Sequence, residues 1–231
     1  MVKKMTIQSL EAGNPLWIHY GSLVCVAAPV PAPAPRRKSS RKQLLTDLRR
    51  SEIIAAALKV FARKGFHNTR AEDVAAQARI AKGTLYLYFD SKEAIYESAL
   101  QYAIAELNAL VDQQLLRASA PEERIRIFIE ARLSYWGEQG ELYRMILTVG
   151  REKKFRKQTT GLLQRAVDGF KEILQEGISS GRFRDRPLDP IAWAVMDMIR
   201  GANERRIDGA SELRTGQETE TILGIVLRYF A

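Results

Sequence analysis

The stretch KGTLYLYFDSK, Lys82 to Lys92, sets three aromatic rings, a glycine and two lysines side by side. Read as a helix, whose successive side chains turn by about 100°, it divides into two faces. Leu85 and Phe89 stand four residues apart on one side and suit a core. Gly83, Thr84 and Leu87 take the opposite side, flanked by Lys82, Tyr86 and Tyr88. A purely structural helix does not usually expose two tyrosines, so the outer face reads as a contact surface. The phenol hydroxyls and the Lys82 ammonium suit phosphate oxygens. Gly83 lets backbone approach a base edge, Thr84 can hydrogen-bond a base or meet a thymine methyl, and Leu87 offers an apolar contact. Lys92, opening the next helix, is expected to clamp one more phosphate.

The surrounding chain is helical by the same criterion. From Leu45 onward apolar residues recur at three and four positions with no alternating strand, which makes the class all-α. Ile54, Leu58 and Phe61 predict one face of a first helix, closed by Gly65 as a C′ residue. Thr69 predicts the cap of a second helix over 70–78, with Glu72 completing a capping box. After the connection Arg79-Ile80-Ala81, the third helix is expected to run to Phe89, and Ser91 to cap a fourth from Lys92 to about Arg117. Later helices are expected near 122–137, 139–150, 154–178, 190–206 and 218–230.

Charge separates the chain into parts. Residues 1–94 carry 16 Lys and Arg against 7 Asp and Glu, while residues 95–231 carry 20 against 20. The whole excess of nine positive charges thus lies in the first part, which points to a polyanionic partner there and another task for the remainder. Three segments follow: 1–43, expected to be a disordered extension with a basic arm (Arg36, Arg37, Lys38, Arg41, Lys42); 44–94, a compact reading unit; and 95–231, a neutral helical domain.

A single cysteine, Cys25, rules out an internal disulfide framework and fits a reducing, cytoplasmic setting. The run PLWIHYGSLVCVAAP imitates a signal peptide, but His19 and Gly21 interrupt it and it is too short to span a bilayer. Only His19 and His67 are available as histidine bases, His67 reading as a loop residue near DNA. Phosphate-binding and dinucleotide-binding glycine motifs are absent, as is histidine-carboxylate metal spacing. No enzymatic activity, cofactor or metal is therefore expected.

The segment from Ser51 to Leu100 resembles the helix-turn-helix domain of the tetracycline-repressor (TetR) family of bacterial regulators. IIAAALKVFARKGF, the T-x-x-E-D-V-A helix start and KGTLYLYFDSKEAIY match in order and spacing. The resemblance implies a three-helix DNA-binding domain followed by a helical ligand-binding and dimerisation domain. It implies a homodimer on a palindromic double-stranded operator, most simply a repressor released by an unidentified small-molecule effector. The family's contact pattern falls on Arg70, Lys82, Gly83, Thr84, Tyr86, Leu87, Tyr88 and Lys92. Two positions depart from it: the family usually has Gly where this chain has Arg79, and Ser or Thr where it has Ala81. A left-handed non-glycine residue costs roughly 1 kcal/mol, and a missing capping hydroxyl costs about as much.

In the neutral part the resemblance favours a cavity among central helices, with Tyr135, Trp136, Tyr143 and Trp193 as its candidate lining. The apolar faces of the last two helices, including Val195, Ile199, Ile222 and Val226, are expected to meet their symmetry mates in a four-helix bundle. The competing reading of these faces is closure of the chain's own core. At the level of function, the competing readings are non-specific DNA packaging and membrane-surface association through the basic part alone.

Overall fold

Nine helices run through residues 41–231, the part of the chain that the structure, a computed structural model, describes. The expected extension through residue 40, with Cys25, His19 and Arg36 to Lys38, lies outside the described residues; Arg41 to Gln43 are already helical. Helix α1 (Arg41–Asn68) presses Ile53, Ala57, Val60 and Phe61 fully into the core, while Ile54 and Leu58 are only partly covered. Its regular course breaks at Gly65, whose φ of 72° few other residues adopt.

Helix α2 (Ala71–Gln77) starts one residue later than expected and is capped differently. Arg70 is the N-cap, and its backbone N–H donates to Asp73 Oδ2 at 2.8 Å. The Thr69 hydroxyl donates backwards to the Gly65 carbonyl at 2.7 Å, and with Arg70 as N-cap the third helical position falls on Asp73 instead of Glu72. Helix α3 (Lys82–Tyr86) is shorter than the sequence indicates, because the chain turns at Leu87 and Tyr88 before Phe89 reaches the core. Leu85 and Phe89 are buried as their spacing requires. Arg50 of α1 donates to the Tyr88 carbonyl and lies 4.4 Å from the centre of the Phe89 ring, fixing this turn.

Ser91 accepts from the Ala94 N–H at 3.1 Å and starts α4 (Lys92–Leu115). Then come α5 (Pro121–Glu138), α6 (Gly140–Val149), α7 (Lys153–Ser179), α8 (Leu188–Ile207) and α9 (Thr215–Phe230). Helix α5 is central, packing against α4, α6, α7, α8 and α9. Its residues Ile125, Phe128, Ile129, Leu133 and Trp136 recur at three and four positions and are all buried.

Val195, Ile199, Ile222 and Val226 are correspondingly buried within the chain itself, between 0% and 4% exposed. They close the monomer's core, because the apolar faces of α8 and α9 turn toward α5 and α7. Their assignment to a dimer interface is corrected on that ground. Among the described residues, no helix is long and apolar enough to cross a membrane.

Candidate DNA-reading surface and effector cavity

The outer face of α3 projects from a buried base. Leu87 is 82% exposed and Tyr86 44%, whereas Leu85 between them and the core is fully covered. Lys82 and Gly83 are exposed, and Thr84 and Tyr88 are half-buried. A methyl group at Gly83 would meet nothing within 4 Å, so no packing inside the chain calls for glycine there. Lys82 Nζ pairs with Glu72 Oε1 at 2.5 Å, joining the start of α3 to the start of α2, where Arg70 is exposed. This hydrogen-bonded pairing raises the Lys82 pKa and lowers that of Glu72, so both stay charged at neutral pH.

The connection between α2 and α3 bears out both departures of the turn. Arg79 has a φ of 56° and is the one non-glycine residue with positive φ among the described residues. Ala81 caps α3 without any side-chain hydrogen bond.

Lys92 does not stand free for a phosphate. Its ammonium donates to the carbonyls of Phe66 and Thr69, both at 3.0 Å, and lies 4.4 Å from the centre of the Phe66 ring. It ties the end of α1 to the start of α4. His67 is likewise placed against the second part of the molecule, with Nε2 2.8 Å from Glu152 Oε1 at the N-cap of α7. Between these links lies an aromatic cluster in which Phe66, Tyr96 and Phe155 meet pairwise, their ring centres 4.7 to 5.4 Å apart.

The same face of α4 that carries Tyr96 continues through Leu100, Ile104, Leu107 and Asn108 to a cavity of about 200 Å³ lined by residues of α4 to α8. Trp136 and Tyr143 line it as expected, stacked at 29° with centres 5.0 Å apart. Burial pushes the Tyr143 phenol pKa up. Tyr135 and Trp193 are not part of the lining. The Tyr135 hydroxyl donates to the Ala103 carbonyl at 3.0 Å, and Trp193 is a partly buried residue packed on the core from α8. The sequence reading missed Arg132, which lines the cavity and is only 4% exposed. Phe128 covers one side of its guanidinium at 3.6 Å, and burial pushes its pKa down to about 9, opposed by Asp112. A signal was present: Arg132 falls in the apolar register of α5 where a core residue belongs.

A family model described as "Bacterial regulatory proteins, tetR family" matches residues 53–99, from mid-α1 into α4. A solved structure extends that likeness over the helices beyond: the TetR family transcriptional regulator PfmR from Thermus thermophilus is 27% identical, with a TM-score of 0.60 over 76% of this chain and 97% of that one. Residues 53–99 thus form a TetR-family DNA-binding segment. Two curated relatives agree with that match. The HTH-type transcriptional repressor NicS of Pseudomonas putida is 28% identical over 153 residues, covering 64% of this chain and 72% of that one. The HTH-type transcriptional regulator RutR of Escherichia coli is 26% identical over 196 residues, covering 83% and 86%. The chain, with its TetR-type segment, is a DNA-binding transcriptional regulator.

Proposed function

We propose that the protein is a cytoplasmic repressor that binds a palindromic operator as a homodimer and leaves it when a small molecule fills the cavity. Residues 44–94 serve as the reading head and 95–231 as the effector-binding and dimerising domain. The carrying observation is the face of α3 on which Leu87 and Tyr86 stand exposed above buried Leu85, with open space at Gly83. An apolar residue this exposed at the end of a five-residue helix suits insertion into a major groove. Lys82, Thr84, Tyr88 and Arg70 flank it as contacts to phosphates and bases, while Lys92 acts through position rather than contact. The protein works by binding, without catalysis.

The dimer is assigned to the outward stripe of α9, Thr221, Gly224, Ile225 and Arg228, beside Ala194 and Gly201 of α8. These residues repeat at helical spacing, and Ile225 is 41% exposed. The small residues allow two such helix pairs to approach closely. Effector binding displaces α4, whose single face runs from Asn108 at the cavity to Tyr96 beneath the reading head. Only about 1 to 3 kcal/mol of coupling is needed for a useful switch.

The test is selection of bound sequences from a random duplex library by the purified protein at near-physiological salt. An enriched palindrome with half-sites about one helical turn apart supports a dimeric regulator. Salt-sensitive binding with no enriched sequence refutes it and favours electrostatic packaging.

A further inference from the structure

Charges around the cavity are unequal in how they are satisfied. Near its rim, Arg200 pairs with Asp197 at 2.9 Å and Arg151 with Glu204 at 3.5 Å. Arg132 makes no ion pair among the described residues. Its Nη2 reaches Asn108 Oδ1 at a long 3.4 Å, and its Nη1 is buried with no hydrogen-bond partner. The ring of Phe128 shields one flat side of the guanidinium, leaving the donor edge as the place where a partner can be received. Burying a cation without a counter-ion is far more costly than filling the same position with an apolar side chain. The apolar register of α5 would readily accept leucine or methionine there.

Resting on the effector-responsive reading above, we infer that the cavity takes a compact apolar monocarboxylate whose carboxylate is held by Arg132. A planar carboxylate matches the guanidinium edge with two parallel charge-assisted hydrogen bonds. The rest of the lining is mostly apolar, with Trp136 and Tyr143 forming one wall and Leu107 of α4 and Ile146 of α6 adding to it, while the charges of Arg151, Asp197 and Arg200 are engaged in the ion pairs above. Size narrows the class further. An apolar cavity of about 150 Å³ takes up benzene. A volume of about 200 Å³ therefore matches one ring or a six-carbon chain together with its carboxylate. Asn108, already beside Arg132, is placed to donate its amide to the same anion. Asp112 acts on Arg132 only from beyond ion-pair distance, so the ligand supplies the direct ion pair that the protein lacks, and it does so on the face of α4 that leads to the reading head.

Isothermal titration calorimetry on the full chain tests this with benzoate and hexanoate, each compared with its neutral amide. At least one carboxylate is expected to bind about tenfold or more tighter than its amide, since only the anion answers the buried cation. Arg132→Met, which nearly conserves volume and removes the charge, is expected to erase that preference while retaining cooperative unfolding. Arg132→Lys, which keeps the charge and loses the fork, is expected to retain a weakened preference. Equal binding of acid and amide overturns the inference, as does absence of binding by both carboxylates or undiminished carboxylate affinity in Arg132→Met. The acid-to-amide comparison on the unaltered protein decides the matter even where a variant fails to fold. Operator binding measured on the same preparation separates the two readings. A chain that selects an operator but takes no carboxylate loses only the ligand assignment, and one that takes the carboxylate but selects no operator loses only the regulatory one.

Discussion

At Arg79 the backbone holds a φ of 56°, and at Gly83, inside the first turn of α3, it carries no side chain although nothing would obstruct one. The two residues depart from local preference in opposite directions. Relieving the left-handed arginine with Arg79→Gly is expected to raise stability by up to about 1 kcal/mol in urea unfolding. If the Arg79 guanidinium also meets a phosphate, the same variant lowers the slope of operator affinity against salt by about one unit; an unchanged slope removes that contact. Gly83→Ala is expected to stabilise the isolated protein by roughly 0.5 to 1 kcal/mol, because alanine is the better helix former. It should at the same time weaken operator binding in fluorescence anisotropy. A variant that is both more stable and equally tight would show that no base edge lies close to that backbone.

Lys92 shows how an element junction can mislead a reading by sequence alone. A lysine at the first turn of α4 looks like a phosphate clamp, yet its acceptors are carbonyls 23 to 26 residues earlier, at the end of α1. Lys92→Met is therefore expected to lose about 2 kcal/mol of stability, the order of hydrogen bonds made by a charged group. Operator affinity should fall with its salt slope unchanged, since no phosphate contact is removed. The helices themselves were legible because they repeat their apolar residues at three and four positions and are marked by recognisable breaks and starts, as at the Gly65 kink and at Pro121 opening α5. Leu85 and Phe89 were legible as core for the same reason. Thr69 was misjudged because α2 starts one residue later than the cap signal indicates, which moves the third helical position from Glu72 to Asp73. Tyr135 and Trp193 were misjudged because a large aromatic signals burial without saying whether its neighbour is a cavity or another helix. Arg132 was overlooked for the opposite reason, a charged residue being presumed exposed even in an apolar register.

Across the whole molecule, the buried and outward faces of α9 make a direct test of the assembly. Ile225→Arg is expected to convert the dimer to a monomer in sedimentation and to weaken operator binding by more than about tenfold, leaving the unfolding of each chain little altered. Val226→Ala, one residue on but fully buried, should instead cost about 1 to 3 kcal/mol of stability and leave the dimer intact. A reversed pattern would return the interface to the face first assigned. The joint between the proposed reading head and the helices beyond it rests on a different footing from the proposed interface. Its lysine grips main-chain oxygens of Phe66 and Thr69, atoms that every residue type possesses. On the proposed reading, substitutions across the outer face of α3 can therefore retune which operator is recognised without removing the acceptors that hold the head at its angle to α4. The reading surface and its hinge are free to change independently, so new specificities need not be accompanied by a new way of transmitting the signal.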